Sequence, residues 1–453
     1  MRACSRASLG RRAAARLPSE AREQARMHLF DALAAALAGT ATREGGNAAR
    51  HLAALAVGGR EQPPAPADIV LTLARRIRAT ELDDLQLESV TTPAAAVVPA
   101  LLGALAAAGA DAAPGMDDVL DALAAGYDVM FTLGLAAGGP GFLYGAGGWP
   151  SLVGAGPAAA ATAARLLGRD AEEIAHAIAL ALLLTPTTLR GRGEDGRWLS
   201  FGVATASGFQ AALAAAVGAR GDIGLLDPGL LDTGLPNTGR AAGPFAGLDA
   251  ALARPWTPGL GLGKAHLKRW ASAGQVAAAI DALGALQDAH GFTARDVTAI
   301  DVRVPPAYRR MIDQPAGAGR LWSLLSAHYQ LATRLCHPED LFDCARPVLR
   351  DSPSFARAMR AVRVHDADWL AARHPESYPA QVEVTLADGE VVAFLSDGRS
   401  PAPTWDWDSV LGKAEAVAAR AGTGAAIGRL RDATSRSADT DDLLRAASLA
   451  MRR

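Results

Sequence analysis

Apolar residues recur with helical spacing along the first half of the chain. In the segment 116–127 they fall on one face with a period close to that of an α-helix. An earlier apolar face at 25–37 predicts a helix that Ser19 caps and Gly39 ends. The same reasoning predicts helices at about 93–109, 151–167, 171–184 and 198–217, the first of them opening at Pro93.

The periodicity changes after the glycine-rich stretch 219–262. One more helix is predicted at about 270–289, and it is followed by runs that alternate polar and apolar residues at 297–305, 361–366 and 380–395. The last run turns at Asp388-Gly389, a dipeptide typical of a β-hairpin. Helical patterns return at 405–453.

These patterns predict a mainly α protein that consists of a large all-helical domain and a smaller α+β domain. The α+β domain is expected to comprise residues 263–401. Because helical segments lie on both sides of it, the helical domain is predicted to be discontinuous, with residues 1–262 and 402–453.

Composition excludes several classes of protein. Ala-rich runs favour helices, and the 45 basic and 47 acidic residues are interspersed, so the chain has no basic surface for nucleic acid or an anionic membrane. Its uninterrupted apolar stretches are too short to cross a bilayer, which needs about 18 residues or more. Three cysteines without a C-x-x-C pair are typical of a reducing compartment, and we expect a cytoplasmic protein.

The first 17 residues are Arg-rich and contain no acidic residue. They lack the apolar segment of a secretory signal, so we expect a disordered start.

Known cofactor motifs are absent or broken. The run 258–265 resembles a phosphate-binding loop, but Pro258 stands at the place of the first glycine and Ala265 at that of the Mg-binding hydroxyl residue. The nine histidines show no metal-ligand spacing. We therefore expect no metal site.

Several stretches, in a shared order, carry a resemblance to a known family. They include "ARMHLFDALAAALAG", "PAAAVVPALLGALAAAG", "DVLDALAAGYDV", "IDVRVP" and "YPAQVEVTLADGE". Together they span about residues 20–395, and they resemble the MmgE/PrpD family, which includes 2-methylcitrate dehydratase and cis-aconitate decarboxylase. The resemblance implies a helical domain, an α+β lid domain with a cleft between them, a homodimer, and a small-molecule substrate. It further implies acid–base chemistry on di- and tricarboxylates without a cofactor.

The family's first motif, D-x-D-D-T-H followed by H-P, is only partly kept. The chain has Glu81 at the first position and keeps Asp83 and Asp84, but Gln86 replaces the histidine. Thr92 stands where the second histidine belongs.

The other motifs have also lost their histidines. Trp149 and Ser151 occupy the glycine-aromatic-histidine run, and Ser200 replaces the histidine of K-R-x-H-x-G. Arg197 and Lys268 could keep the positive charge of their motifs. The chain has no histidine between His51 and His176 or between His176 and His266, and His176 itself is interpreted as a packed or partly exposed helix residue. A family site drawn from residues 80–260 is therefore expected to work without imidazole.

The resemblance assigns possible roles to the residues that remain. A desolvated carboxylate at Asp83 or Asp84 could act as a base, although either could instead cap a helix or face water. His328, in a Ser-Ala-His-Tyr element, is the best remaining imidazole, and an ordinary partly exposed histidine is the alternative. The remaining candidates are predicted to bind substrate: Glu81, Thr92, Trp149, Ser151, Arg197, Ser200 and Lys268.

Three functions stay open on the sequence. The first is a repurposed enzyme that performs isomerisation, elimination or decarboxylation on a small or specialised metabolite. The second is a conventional carboxylic-acid dehydratase or decarboxylase that uses Asp83 or Asp84 as base. The third is a non-catalytic relative that binds a small molecule or a partner chain.

Overall fold

The structure is a computed structural model that describes residues 8–55, 64–109, 114–186, 196–226, 245, 247–398 and 405–451. The chain divides into two compact units. Unit 1 comprises Met1–Ala79, Asp83–Ala265 and Ala425–Arg453, and unit 2 comprises Thr80–Leu82 and His266–Gly424. Helices dominate and the sheets are small, so the predicted mainly α class with a smaller α+β part is confirmed.

Unit 1 is built from helices rich in Ala and Leu. Its first part contains the short strand β1 (Leu85–Gln86) and the helices α1 (Ser8–Ala14), α2 (Arg22–Gly39), α3 (Arg43–Leu55), α4 (Pro66–Ala79), α5 (Ala94–Ala108), α6 (Met116–Ala136), α7 (Pro150–Leu166), α8 (Ala171–Leu183), α9 (Gly196–Ala216), α10 (Leu248–Ala253) and α11 (Leu260–Gly263). Helix α7 lies at the centre, where α5, α6, α8 and α9 pack around it.

The close approach of α7 and α9 depends on glycine. A Cβ atom at Gly208 would collide with the backbone of Gly156, so a side chain at that position would force the two helices apart. The small side chains of these helices allow the tight contact, and α9 also packs against α4.

Two expectations about the N-terminus are wrong. Residues 8–14 form α1 rather than a disordered segment, because Leu9 and Ala13 are buried and α1 packs on α8; residues 1–7 lie outside the described part. Ser19 does not cap α2, since it begins a 3₁₀ turn (Ser19–Ala21) and its hydroxyl donates to Glu20. The end of α2 at Gly39 agrees with the prediction.

Unit 2 combines a four-stranded sheet with helices. After β2 (Ala265–His266), its elements are α12 (Gly274–His290), β3 (Val297–Val304), α13 (Pro306–Ile312), α14 (Gly319–Leu325), α15 (Ala327–Cys336), α16 (Pro353–Ala361), β4 (Val362–Asp366), α17 (Asp368–Ala371), β5 (Ala380–Leu386), β6 (Val391–Ser396) and α18 (Trp407–Ala421). The strand order is β4-β3-β5-β6, with β3 parallel to β4 and antiparallel to β5.

The strand register aligns the apolar positions of the sheet. Val302 pairs with Val364 on one side and with Val382 on the other, and Ile300 and Val384 are paired and buried as well. The hairpin between β5 and β6 turns at Gly389, whose φ of 91° is the left-handed conformation that glycine tolerates.

The chain then returns to unit 1 through α19 (Ile427–Ala433) and α20 (Thr440–Met451). Helix α18 belongs to unit 2, whereas the sequence placed residues 402–453 together in the helical domain.

Two helices, α6 and α9, have the length and apolar composition of a membrane span. Within the apolar window, 94% of α6 and 50% of α9 is buried inside the fold. A core helix of a folded unit passes the same test, so these helices are weak evidence for a span.

Candidate acid–base site

The segment between α4 and α5 carries the acidic residues that the sequence singled out. Two of its residues, Glu81 and Val90, adopt left-handed φ values of 54° and 55°. Such a conformation is unfavourable for a β-branched residue and persists only where the surroundings enforce it. Asp83 and Asp84 are both buried, so the alternative that they face water is wrong.

Asp84 joins three helices of unit 1 through its carboxylate. Its Oδ2 lies 2.7 Å from His28 Nδ1 on α2 and accepts a 2.5 Å hydrogen bond from the Tyr127 hydroxyl on α6. Its Oδ1 accepts from the backbone N–H of Ala94, the first residue of α5. Asp84 therefore holds the start of α5, as the capping alternative proposed, and it also orients an imidazole and a phenol.

His28 is the functional candidate that the sequence missed. Its imidazole also contacts the Tyr127 ring edge-on, with 5.6 Å between the ring centroids. The expectation of a site without imidazole concerned residues 80–260, whereas the histidine beside Asp84 comes from α2, outside that range. Only the packing of α2 against α5 and α6 brings the two residues together, and no local pattern in the sequence signals it.

Burial and the adjacent carboxylate fix the state of Tyr127. Burial is the largest cause that raises the pKa of Tyr127 well above 10, and the charge of Asp84 and its hydrogen bond add to the rise. The phenol is thus held protonated and serves as a donor to Asp84.

Asp83 faces a different group of side chains in unit 1. Its Oδ1 forms a 3.0 Å ion pair with Arg78 Nη1, and both side chains are buried. The Arg78 guanidinium lies over the rings of Trp149 and Trp198, 5.8 and 5.6 Å from their centroids. The carboxylate is therefore held by a cation that two aromatic rings position.

Arg197 contacts the same two rings. Its guanidinium lies 4.9 Å from the centroid of Trp149 and 4.7 Å from that of Trp198. Phe201 packs beside Trp149, with centroids 5.6 Å apart. The structure thus brings the predicted residues Trp149 and Arg197 together with Trp198 in an aromatic and cationic cluster next to Asp83.

The predicted polar replacements have different environments. Thr92 and Ser151 are buried and lie 3.3 Å apart through their hydroxyl oxygens. Gln86 is buried and donates to the carbonyls of Tyr127 and Gly261. Ser200 has an exposed side chain, so it does not share the buried environment of the other candidates.

Glu81 and Lys268 form a pair within unit 2. Lys268 Nζ lies 3.2 Å from Glu81 Oε2 and 3.4 Å from the Glu81 carbonyl oxygen, and both side chains are buried. The lysine that the family motif retains therefore has its charge neutralised by a carboxylate of the protein.

His328 also has its partners within unit 2. Its Nε2 lies 3.0 Å from Asp313 Oδ1, and its Nδ1 lies 3.4 Å from the Met359 carbonyl oxygen. Both ring nitrogens are engaged, and the side chain is buried.

One group among the described residues has metal-ligand spacing: His337, Glu339 and Asp340. Arg420 forms ion pairs with both carboxylates, and Arg350 lies 2.6 Å from Asp340. These guanidinium groups already occupy the carboxylates that a metal would need, so the cluster is explained by ion pairing.

Comparison with known proteins gives a match that lies in the helical part of the chain. Residues 11–230 match the family model of the MmgE/PrpD N-terminal domain. This region contains His28, Asp83, Asp84 and Tyr127. No curated protein matches the chain significantly. Residues 11–230 are therefore an N-terminal domain of the MmgE/PrpD family, a family of dehydratase-type enzymes.

Proposed function

We propose that the chain is a repurposed MmgE/PrpD enzyme that performs acid–base chemistry without a cofactor on a small substrate with less negative charge than a di- or tricarboxylate. The reaction class is isomerisation, elimination or decarboxylation. The observation that carries this proposal is the 2.7 Å contact between His28 and Asp84. It provides an imidazole as proton acceptor in a site whose motifs alone contain no histidine.

In this mechanism His28 is the base and Asp84 is a positioning residue. An ionised carboxylate only accepts hydrogen bonds, so His28 must donate from Nδ1 to Asp84. The lone pair of Nε2 then remains to take a proton from the substrate. Tyr127 and the Ala94 N–H hold Asp84 in place and keep the imidazole in this tautomer.

The pairing of charged side chains supports the proposal that the substrate carries little negative charge. Asp83 is paired with Arg78, and Glu81 with Lys268. A lysine that already neutralises a buried carboxylate contributes less to binding a substrate carboxylate than an unpaired one. The rings of Trp149 and Trp198, with Arg197 over both, offer a surface that suits a planar or partly apolar molecule.

The same contacts count against Asp83 as the base of a conventional dehydratase. Its Oδ1 is already engaged by the Arg78 guanidinium and so is not free to contact a substrate. Both oxygens of Asp84 likewise already accept hydrogen bonds from groups of the protein.

Exchange of substrate protons with solvent tests the proposal even when the product is unidentified. The protein is incubated in D₂O with a panel of monocarboxylates, their methyl esters and amides, and with citrate as a tricarboxylate. Loss of C–H signals is followed by proton NMR. We expect deuterium incorporation into at least one weakly charged compound, and we expect His28→Gln to slow it by about 10²- to 10⁴-fold.

His176→Gln is the matched control, because His176 is also a buried helical histidine of unit 1 and bonds to the Gly221 carbonyl. It should leave the exchange rate unchanged. Exchange of citrate alone would favour the conventional dehydratase. No exchange in the whole panel, or equal exchange in His28→Gln, would overturn the proposal, and the former result would favour the non-catalytic relative.

A further inference from the structure

Unit 2 contains a cavity of about 300 Å³ that is separate from the residues discussed above. This volume lies at the lower end of the range of about 300 to 1,000 Å³ that small-molecule sites occupy. Helix α18 forms one wall. The side chains that define the chemistry of the cavity are Arg269, Phe342, Trp405, Ser409 and Lys413, and Gly412 lies between the last two.

Two cations face this cavity, and they are held in different ways. The Arg269 guanidinium is exposed and stacks on Trp270 at 4.5 Å from the ring centroid. Within the described part of the chain it forms no ion pair with a carboxylate. Lys413 is buried, donates to the Leu82 carbonyl over 3.2 Å, and has its ammonium 5.9 Å from the centroid of Trp405.

The cavity also has apolar walls. Phe342 and Trp405 are half-buried, and Phe342 packs against Trp270 with centroids 5.1 Å apart. This contact fixes both the Phe342 ring and the indole that carries Arg269. The cavity thus combines two aromatic faces with a guanidinium whose position is set by stacking.

Helix α18 leaves room for a ligand at Gly412. A glycine inside a helix costs roughly 0.5–1 kcal/mol relative to alanine. A Cβ at Gly412 would meet nothing within 4 Å, so no neighbouring atom requires a glycine there. What the missing side chain provides is open space in the cavity wall.

We propose that this cavity binds a small aromatic monocarboxylate. The carboxylate lies between Arg269 and Lys413, and the ring packs against Phe342 and Trp405. Asp408, exposed at the same cavity, adds one negative charge to the lining and therefore disfavours ligands with two or three negative charges. All of these residues belong to unit 2, so this proposal is independent of the proposed acid–base function.

Calorimetric titration of the full-length protein with cinnamate tests the site. Cinnamate is expected to bind saturably, whereas cinnamamide, its neutral analogue, and citrate are expected to bind at least tenfold more weakly. Arg269→Gln removes one charge-assisted contact and should weaken cinnamate binding about tenfold or more. Gly412→Leu fills the cavity and should abolish binding.

Gly428→Leu provides the matched control for the cavity-filling variant. Gly428 is an exposed glycine of α19 in unit 1, and a Cβ there also meets nothing within 4 Å. The Gly428→Leu variant should bind cinnamate with the affinity of the wild type. Absence of saturable binding to the folded wild type, equal affinity for cinnamamide, or unchanged binding in both Arg269→Gln and Gly412→Leu would overturn the proposal.

Discussion

His28 and Asp84 are 56 positions apart in the sequence and 2.7 Å apart in the core of unit 1. The contact connects α2 to the segment that precedes α5. It places a histidine beside one of the two acidic residues that the first family motif retains.

The first prediction concerns the tautomer of His28. In the wild type, Asp84 accepts the proton of Nδ1, so Nε2 should be the unprotonated nitrogen of the neutral ring. Asp84→Asn offers an amide donor instead, and the proton should move to Nε2. Nitrogen-15 NMR of labelled histidine at alkaline pH distinguishes the two forms. An unchanged spectrum in Asp84→Asn would show that Asp84 does not set the tautomer.

The second prediction concerns the Tyr127 hydroxyl. Tyr127→Phe removes a donor to a buried carboxylate, and we expect the unfolding free energy to fall by about 1.5–3 kcal/mol. Tyr308→Phe is the control, since the Tyr308 hydroxyl is also buried but bonds to a neutral carbonyl, that of Pro379. Tyr308→Phe should lower the unfolding free energy by only about 1 kcal/mol. Urea denaturation measures both, and a smaller loss for Tyr127→Phe than for the control would contradict the prediction.

The third prediction compares two lysine pairs. Lys268→Met leaves the buried Glu81 carboxylate without this ammonium, and we expect a loss of about 3–5 kcal/mol. Lys264→Met removes one of the two cations that pair with Glu88, the other being Arg254, at a side chain that is 45% exposed, and it should change stability by less than about 1 kcal/mol. Equal losses of unfolding free energy in the two variants would mean that burial does not determine how much the Lys268–Glu81 pair contributes to stability.

The fourth prediction concerns the pH dependence of stability. Burial lowers the pKa of His374 from 6.5 to about 4. As the pH falls, the unfolded chain therefore takes up a proton before the folded protein does. This contribution to stability is complete above about pH 6.5 and is lost as the pH falls towards 4.

His374→Phe should flatten this decline, by an amount on the order of 1–2 kcal/mol because the half-buried ring is partly screened by solvent. The comparison is made by urea denaturation between pH 7 and 4. His290→Gln, at an exposed position, should keep the wild-type decline. If His374→Phe shows the same loss of stability between pH 7 and 4 as the wild type, His374 is not the cause of that loss.

The fifth prediction concerns Gly412. Gly412→Ala should raise the unfolding free energy by roughly 0.5–1 kcal/mol, because alanine restricts the unfolded chain and its Cβ enters open space. Thermal unfolding measures the change. A destabilised variant would indicate that the wall of the cavity is tighter at this position than the structure shows.

The sequence predicted the elements whose signal is local. The apolar period of α6, the proline that precedes α5 and the hairpin turn at Gly389 are all visible within a few residues. Helix α1 was missed because its seven residues, Ser8–Ala14, are stabilised by burial of Leu9 and Ala13 rather than by a recognisable pattern.

The candidate site was predictable only in part. The motif positions of Asp83, Asp84, Trp149 and Arg197 indicated which residues to inspect. Their partners were not predictable, because His28, Tyr127 and Trp198 reach them through helix packing between distant parts of the chain. A sequence motif shows which residue types occupy given positions. The ion pairs and hydrogen bonds of those residues depend on which side chains the fold brings close to them.

The assignment of Thr80–Leu82 to unit 2 has a practical consequence for expressing the two units separately. These three residues belong to unit 2, where Glu81 accepts from Lys268 and the Leu82 carbonyl accepts from Lys413. A gene fragment that encodes only residues 266–424 would remove these acceptors from two buried ammonium groups. Separate expression of this half is therefore expected to require a fused copy of the tripeptide, or it will give insoluble material.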